Sequence, residues 1–133
     1  MAVVIADSDV LIDFLRGADP MASRVATELG MGALGTTVVN AFELWAGAHT
    51  PKQQRAVEEL LEATEILPLD PAAARAGGDI HRDLRGRGIT IGMADCLVAG
   101  ICATRRVILL SRNTKHFREV KGLSLSGSWQ EQP

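Results

Sequence analysis

The sequence predicts an α/β protein in which a central parallel sheet of four to five strands is covered by helices on both faces. Short aliphatic runs alternate with amphipathic stretches along the chain, the order expected of βαβ crossover units with right-handed connections. The strand candidates are apolar throughout rather than alternating, as strands buried on both faces must be. A length of 133 residues gives room for one domain, residues 1–133, and no second core.

Residues 2–6, Ala-Val-Val-Ile-Ala, form the first strand candidate and end at Asp7. Leu11, Ile12, Phe14 and Leu15 follow at helical spacing, closed by Arg16-Gly17. Asp19-Pro20 offers an N-cap and a proline at the first helical position, for a helix reaching about Leu29. Leu34 to Val39 is the second strand candidate. Asn40 with Glu43 resembles a capping box, which predicts a helix starting there. Pro51 opens a further helix with Val57, Leu60 and Leu61 as its apolar stripe. Glu65 to Leu69 is the third strand, and Asp70-Pro71 starts a helix that runs through His81 and Leu84 to Gly86-Arg87-Gly88. Gly92 to about Thr104 is another helix, and Val107 to Leu110 is the strongest strand signal. Leu123 and Leu125 predict a short edge strand, and residues 126–133 a loose tail.

With 47% hydrophobic and 23% charged residues, the composition is that of a soluble globular protein and not a disordered one. Aromatics make up 4% and tyrosine is absent, so the core rests on Ala, Val, Leu and Ile. No apolar run approaches the roughly 18 residues of a spanning helix, which predicts no membrane partner. The first residues lack the basic and long apolar regions of a signal peptide, so a cytoplasmic location is expected. Cys96 and Cys102 are expected to be reduced core residues, because six residues apart on one helix they point to different faces. No Cys/His cluster has zinc spacing.

The net charge of −2 hides an asymmetry. Residues 1–74 hold 4 Lys and Arg against 11 Asp and Glu, a balance of −7, whereas residues 75–121 hold 10 against 4, a balance of +6. Charge alone is compatible with two solvated faces. It also suits an acidic site flanked by a basic surface, as in a metal-assisted enzyme acting on a phosphate polymer.

In parallel sheets, ligands sit beyond the carboxyl ends of the strands near the topological switch point. That rule selects Asp7 after the first strand, Glu43 and Asp95 in the first turns of their helices, and Ser111 and Asn113 after the fourth strand. The helix dipole accounts for Glu43 and Asp95 individually, and Asn113 suits an N-cap. It does not account for an acid inside Ile91-Gly92-Met93-Ala94-Asp95-Cys96-Leu97-Val98-Ala99, where a partly buried carboxylate needs a partner. A cation shared by Asp7, Glu43 and Asp95 would meet that need.

Four segments resemble the motifs of PIN-domain ribonucleases of the VapC toxin type, in family order. They are Val4-Ile5-Ala6-Asp7-Ser8-Asp9-Val10-Leu11-Ile12-Asp13-Phe14-Leu15-Arg16-Gly17, Thr37-Val38-Val39-Asn40-Ala41-Phe42-Glu43-Leu44-Trp45-Ala46-Gly47-Ala48, Asp95-Cys96-Leu97-Val98-Ala99 and Leu109-Leu110-Ser111-Arg112-Asn113-Thr114-Lys115-His116-Phe117. The resemblance implies a three-layer α/β/α PIN-like fold and an acidic pocket that binds Mg²⁺ or Mn²⁺ and cuts RNA. It implies Asp7 and Asp95 as metal ligands and Glu43 as the third acid, acting directly or through water. Ser8 and Ser111 would hydrogen-bond to ligands or waters. Asn113 stands where many such nucleases carry a fourth acid, which favours one tightly held ion in the free protein and a second joining with RNA.

The implied reaction is phosphodiester hydrolysis by a metal-activated water, with Glu43 as a candidate base and 5′-phosphate and 3′-hydroxyl products. His49, His81 and His116 are expected at surface or capping positions. Arg82, Arg85, Arg87, Arg112, Lys115 and Arg118 are the candidate RNA contacts, with tRNA and rRNA as candidate substrates. The resemblance further implies a cognate VapB-type antitoxin that reaches into the acidic pocket, and a homodimer is expected. The apolar helices around Phe42 to Trp45 and Val57 to Leu61 are candidate surfaces for these partners. The sequence leaves two alternatives. One is a catalytically inactive PIN-like binding domain. The other is a haloacid-dehalogenase-like phosphatase using Asp7, which Val3 to Leu11 fits but the later order of acids does not.

Overall fold

A computed structural model describes residues 2–126; the expected tail beyond residue 126 lies outside the described residues. The strands are β1 (Val4–Ala6), β2 (Leu34–Thr37), β3 (Glu65–Leu67), β4 (Ile108–Leu110) and β5 (Ser124–Leu125). The helices are α1 (Ser8–Arg16), α2 (Met21–Gly30), α3 (Val38–Gly47), α4 (Pro51–Glu62), α5 (Pro71–Gly86), α6 (Met93–Arg105) and α7 (Thr114–Phe117).

All strand pairs are parallel, in the order β3-β2-β1-β4-β5. Ile5 pairs with Gly35 of β2 on one side and Leu109 of β4 on the other. The chain builds outward from β1 to β3 and then returns to the opposite side of β1. The switch point of the sheet therefore lies between β1 and β4.

Alternation along the strands sorts the core into two layers. Val4, Ala6, Leu34 and Leu110 join Val10, Leu11, Met21, Val25, Leu44, Val57 and Leu60 of α1 to α4 on one face. Ile5, Leu67 and Leu109 join Leu84, Cys96, Val98, Ile101 and Phe117 of α5 to α7 on the other. The result is the three-layer α/β/α arrangement that the alternation predicts. Among the described residues no helix is long and apolar enough to cross a membrane. Both cysteines are free and buried, and burial pushes the Cys102 thiol up to about 12.

Three local expectations are corrected. The second strand stops at Thr37 rather than Val39, because the Thr37 hydroxyl accepts the Asn40 amide at 3.1 Å and starts α3 at Val38. Asn40 is thus inside the helix instead of capping it, and Glu43 falls beyond the first turn. Asp19 does not cap at the expected place: α2 begins at Met21, and the Asp19 carboxylate accepts from Ser23 N at 2.8 Å and Ser23 Oγ at 2.6 Å. Val57, Leu60 and Leu61 are core residues, at 3%, 4% and 7% exposure, so this stripe offers no docking surface.

α5 and α6 pack antiparallel. Gly77 of α5 meets Cys96, Ala73 meets Gly100, and Asp70 lies 3.7 Å from Arg105. The carboxyl end of α5 therefore lies at the end of the molecule where α6 begins and where Asp95 sits. A Cβ on Gly100 would stand 2.5 Å from Ala73 O and 2.7 Å from Gly77 N, so only glycine lets the helices approach this closely.

Gly100→Ala is expected to destabilise the protein by about 1–3 kcal/mol in urea unfolding, because backbone rather than a flexible side chain must give way. Gly78→Ala, whose Cβ meets nothing within 4 Å in the same helix pair, should instead stabilise by about 0.4–1 kcal/mol. Equal effects would show that close helix approach is not the constraint.

Candidate active site

The first strand ends by delivering Asp7 to the switch point. Its amide donates to Leu110 O at 2.9 Å, which ties the end of β1 to the end of β4. Asp7 is 7% exposed, and a buried carboxylate needs donors. Three separate elements supply them. Ser8 N at the start of α1 donates to Oδ1 at 2.9 Å, Asn40 Nδ2 of α3 to Oδ1 at 2.8 Å, and Ser111 Oγ after β4 to Oδ2 at 2.7 Å.

Asn40 is fully buried and serves as a hub. Its carbonyl oxygen accepts from the Thr37 hydroxyl at 2.7 Å, which leaves its amide to donate to Asp7 and, at 2.9 Å, to Ser8 Oγ. Ser8 Oγ donates a hydrogen bond to Glu43 Oε1 at 2.6 Å, and Asn40 Nδ2 lies 3.4 Å from the same oxygen. Asp7 and Glu43 are thus joined through Ser8 and Asn40. The sequence reading missed Asn40 as a site residue. Its signal was the Thr37-x-x-Asn40 spacing, which marks a helix start three residues earlier than the one chosen.

Asp95 lies in the first turn of α6, as expected, and is half-buried. Burial raises its pKa, and the charges of Asp7 and Glu43 raise it further, while His116 partly offsets them. The three acids therefore share one electrostatic neighbourhood. Asn113 Nδ2 lies 3.4 Å from Asp95 Oδ2 and 3.1 Å from His116 Nδ1, so His116 stands at the rim of the site and not merely at the surface. The acids do not close into a cage. Among the described residues no three His, Cys, Asp or Glu side chains form a group that could hold a metal ion as they stand.

Asp9, which the sequence reading left unassigned, adds a fourth acid beside Asp7. Burial and then the Asp7 charge push its pKa up to about 6, partly offset by the Arg112 amide and guanidinium. The candidate RNA contacts divide in two. Arg82 pairs with Asp79 at 2.6 Å, Arg87 with Asp83 at 2.8 Å and Glu119 at 3.6 Å, and Arg112 with Asp13 at 3.2 Å. Arg85, Lys115 and Arg118 are exposed, and their side chains have no partner among the described residues. Beside Glu43, Val38, Phe42, Met93 and Leu97 line an apolar groove, with Phe42 69% and Met93 77% exposed.

Comparison with known proteins gives concordant results. The PIN domain family matches residues 4–123. Ribonuclease VapC10 of Mycobacterium tuberculosis is 32% identical over 115 residues, which cover 86% of either chain. The tRNA(fMet)-specific endonuclease VapC of Shigella flexneri is 32% identical over 108 residues, 78% of this chain and 82% of that one. VapBC2 of Rickettsia felis, solved with a promoter DNA fragment, superposes with a TM-score of 0.83 at 17% identity, over 92% of this chain and 96% of that one. The last likeness concerns the fold.

The position of Asp9 gives a pH dependence whose sign is fixed. Its folded pKa of about 6 lies above the ordinary 3.8, so between these values the folded state binds more protons than the unfolded state. Its contribution to stability therefore falls as pH rises through this window. Asp9→Asn removes the penalty while keeping an acceptor for Arg112 N. In metal-free buffer the melting-temperature advantage of Asp9→Asn over wild type is expected to widen from about pH 4 to about pH 7. A difference that stays constant with pH would show that ionising Asp9 costs the fold nothing.

Proposed function

The chain belongs to the PIN-domain family and stands among its VapC-type members, and from that premise we propose that it is a metal-dependent endoribonuclease toxin of a toxin–antitoxin pair. The observation that carries this reading is the hydrogen-bonded link of Asp7 and Glu43 through Ser8 and Asn40 at the β1–β4 switch point, with Asp95 near enough for both charges to raise its pKa. The relatives named ribonucleases and endonucleases count against the phosphatase alternative.

The donor set fits a hard divalent cation such as Mg²⁺ or Mn²⁺. All candidate ligands are carboxylate oxygens, and Mg²⁺ keeps several waters while taking one or two carboxylates plus substrate phosphate, so a closed protein cage is not required. A carboxylate accepts at about four positions. Asp7 uses both on Oδ1 and one on Oδ2, which leaves Oδ2 one position for a ligand bond. Asp95 meets only the long contact from Asn113 among the described residues, and its raised pKa marks a charge that a cation would relieve. When bound, the ion supplies charge neutralisation at the phosphate and a lowered pKa for water.

The remaining roles belong to the chain. Ser111 and Asn40 fix the plane of the Asp7 carboxylate, and Ser8 binds Glu43 Oε1, so Oε2 is the oxygen that would accept a proton from water. Asn113 holds Asp95 without adding charge. Arg85, Lys115 and Arg118 approach the RNA backbone at the end of the molecule that carries the site, and such contacts give affinity and salt dependence rather than sequence choice. The exposed groove of Val38, Phe42, Met93 and Leu97 suits a second copy of the chain in a homodimer. A VapB-type antitoxin, the partner in the solved VapBC complexes, would control activity by reaching into the acidic pocket. A binding-only role is the second reading, favoured by Asn113, an amide where a fourth acid would add charge to the site.

Sequencing of RNA 5′ ends after brief induction tests the proposal, since a nuclease of this kind leaves discrete new 5′-phosphate ends. Purified protein with Mg²⁺ should produce the same ends, and EDTA should abolish them. Glu43→Gln is expected to slow cleavage by about 10²- to 10⁴-fold, and Ser111→Ala by about 10- to 100-fold. Calorimetry should detect Mn²⁺ binding that Asp7→Asn and Asp95→Asn remove. Absence of new RNA ends together with no carboxylate-dependent metal binding would favour the binding-only reading.

A further inference from the structure

Three residues, Ser111 to Asn113, join β4 to α7, and both ends of this loop reach into the acidic site. Ser111 Oγ donates to Asp7 Oδ2 at 2.7 Å, and Asn113 Nδ2 lies 3.4 Å from Asp95 Oδ2. Between them, Arg112 turns the other way. Its backbone amide donates to Asp9 Oδ2 at 3.2 Å and Oδ1 at 3.4 Å, and its guanidinium Nε lies 3.2 Å from Asp13 Oδ2. Asp9 and Asp13 are one helical turn apart on α1, so they present two acceptors on one face. Asp13 is largely buried, its side chain 14% exposed, whereas the Arg112 side chain is 53% exposed. A bond within the loop, Asn113 N to Ser111 Oγ at 3.0 Å, stiffens it further.

We propose that Asp9 and Asp13 clamp Arg112, and through it hold Ser111 and Asn113 in register with Asp7 and Asp95. Arg112 is then a positioning residue, not an RNA contact. This rests on the ribonuclease reading for its catalytic consequence, but the clamp itself is a property of the loop. The arrangement explains why two further acids stand close to an acidic site. α1 starts directly after Asp7, so a loop anchored on its first two turns is referenced to the same short segment that places Asp7. A surface salt bridge alone would contribute little. Here the ion pair is joined by a backbone hydrogen bond to the same residue, and the two fix one loop at two points.

The experiment compares wild type with Arg112→Gln, Asp13→Asn and the double variant. Hydrogen exchange followed by NMR reads the loop without any substrate. Both single variants should speed exchange of the Arg112 and Asn113 amides by about tenfold while leaving Leu110 in β4 unchanged, and unchanged exchange would overturn the clamp. An RNA oligonucleotide carrying the site best cut in a total-RNA digest then gives the kinetics. Each single variant should lower kcat about tenfold with KM and its salt dependence unchanged, and the double variant should be no slower than either. A raised KM and a salt slope reduced by about one for Arg112→Gln, with Asp13→Asn unaffected, would instead make Arg112 a phosphate contact. If wild type cuts no RNA in the digest, the ribonuclease reading fails on its own, and amide exchange still decides the clamp.

Discussion

The structure turns on one buried carboxylate. Asp7 is removed from water at the point where β1 and β4 lie side by side, and a carboxylate in that position needs hydrogen-bond donors around it. Its donors come from the start of α1, the interior of α3 and the residue after β4, in segments 33 and 104 residues away. Neither of the two distant donors could arrive unless β1 were flanked by β2 on one side and β4 on the other. Strand order, helix start and site geometry are therefore one constraint. A register shift in either pairing would leave the charge unpaired and dismantle the site at once.

Around that satisfied acid the protein keeps others that are less comfortable. Asp95 and Asp9 are held in protonation-prone surroundings by burial and by their neighbours' charges. Local rules would replace such groups with neutral ones, so their presence marks a place where stability yields to function. The offsets are modest and specific: His116 beside Asp95, and Arg112 beside Asp9. This balance leaves the end of the sheet acidic, as a site recruiting a cation would require, while cationic neighbours within the chain offset part of the repulsion.

Much of this was legible in the chain, and the failures have physical causes. Strand ends are punctuated sharply, so Asp7 and Ser111 could be placed from the apolar runs that precede them. Asp95 stood out because an acid inside an apolar helical segment must find a partner. Asn40 did not, because two overlapping start signals competed. Asn40 with Glu43 spelled a capping box, but Thr37 had already capped the helix through its own hydroxyl. A shift of three residues turned an apparent cap into a buried hub. The Asp9–Arg112 contact spans 103 residues, and nothing local announces it. The pairs Asp79 with Arg82 and Asp83 with Arg87 were different, for helical spacing alone could have shown that those arginines have intramolecular partners.

The charge asymmetry of the sequence acquires a second meaning from these pairs. An acidic first half and a basic second half suggested an acidic site beside a basic surface for a polyanion. In the folded chain part of the complementarity is internal, since Arg112 answers Asp13 and Arg105 answers Asp70 across the two halves. The cations left for an external partner are therefore fewer than the count of ten implies, and those beside the site, Lys115 and Arg118, follow Asn113 closely in sequence. Such a surface favours brief encounters over tight retention, because each unpaired phosphate contact adds to affinity and few are available. Discrimination between substrates then has to come from shape and from the geometry at Asp7, which returns the burden of specificity to the segments that hold that carboxylate in place.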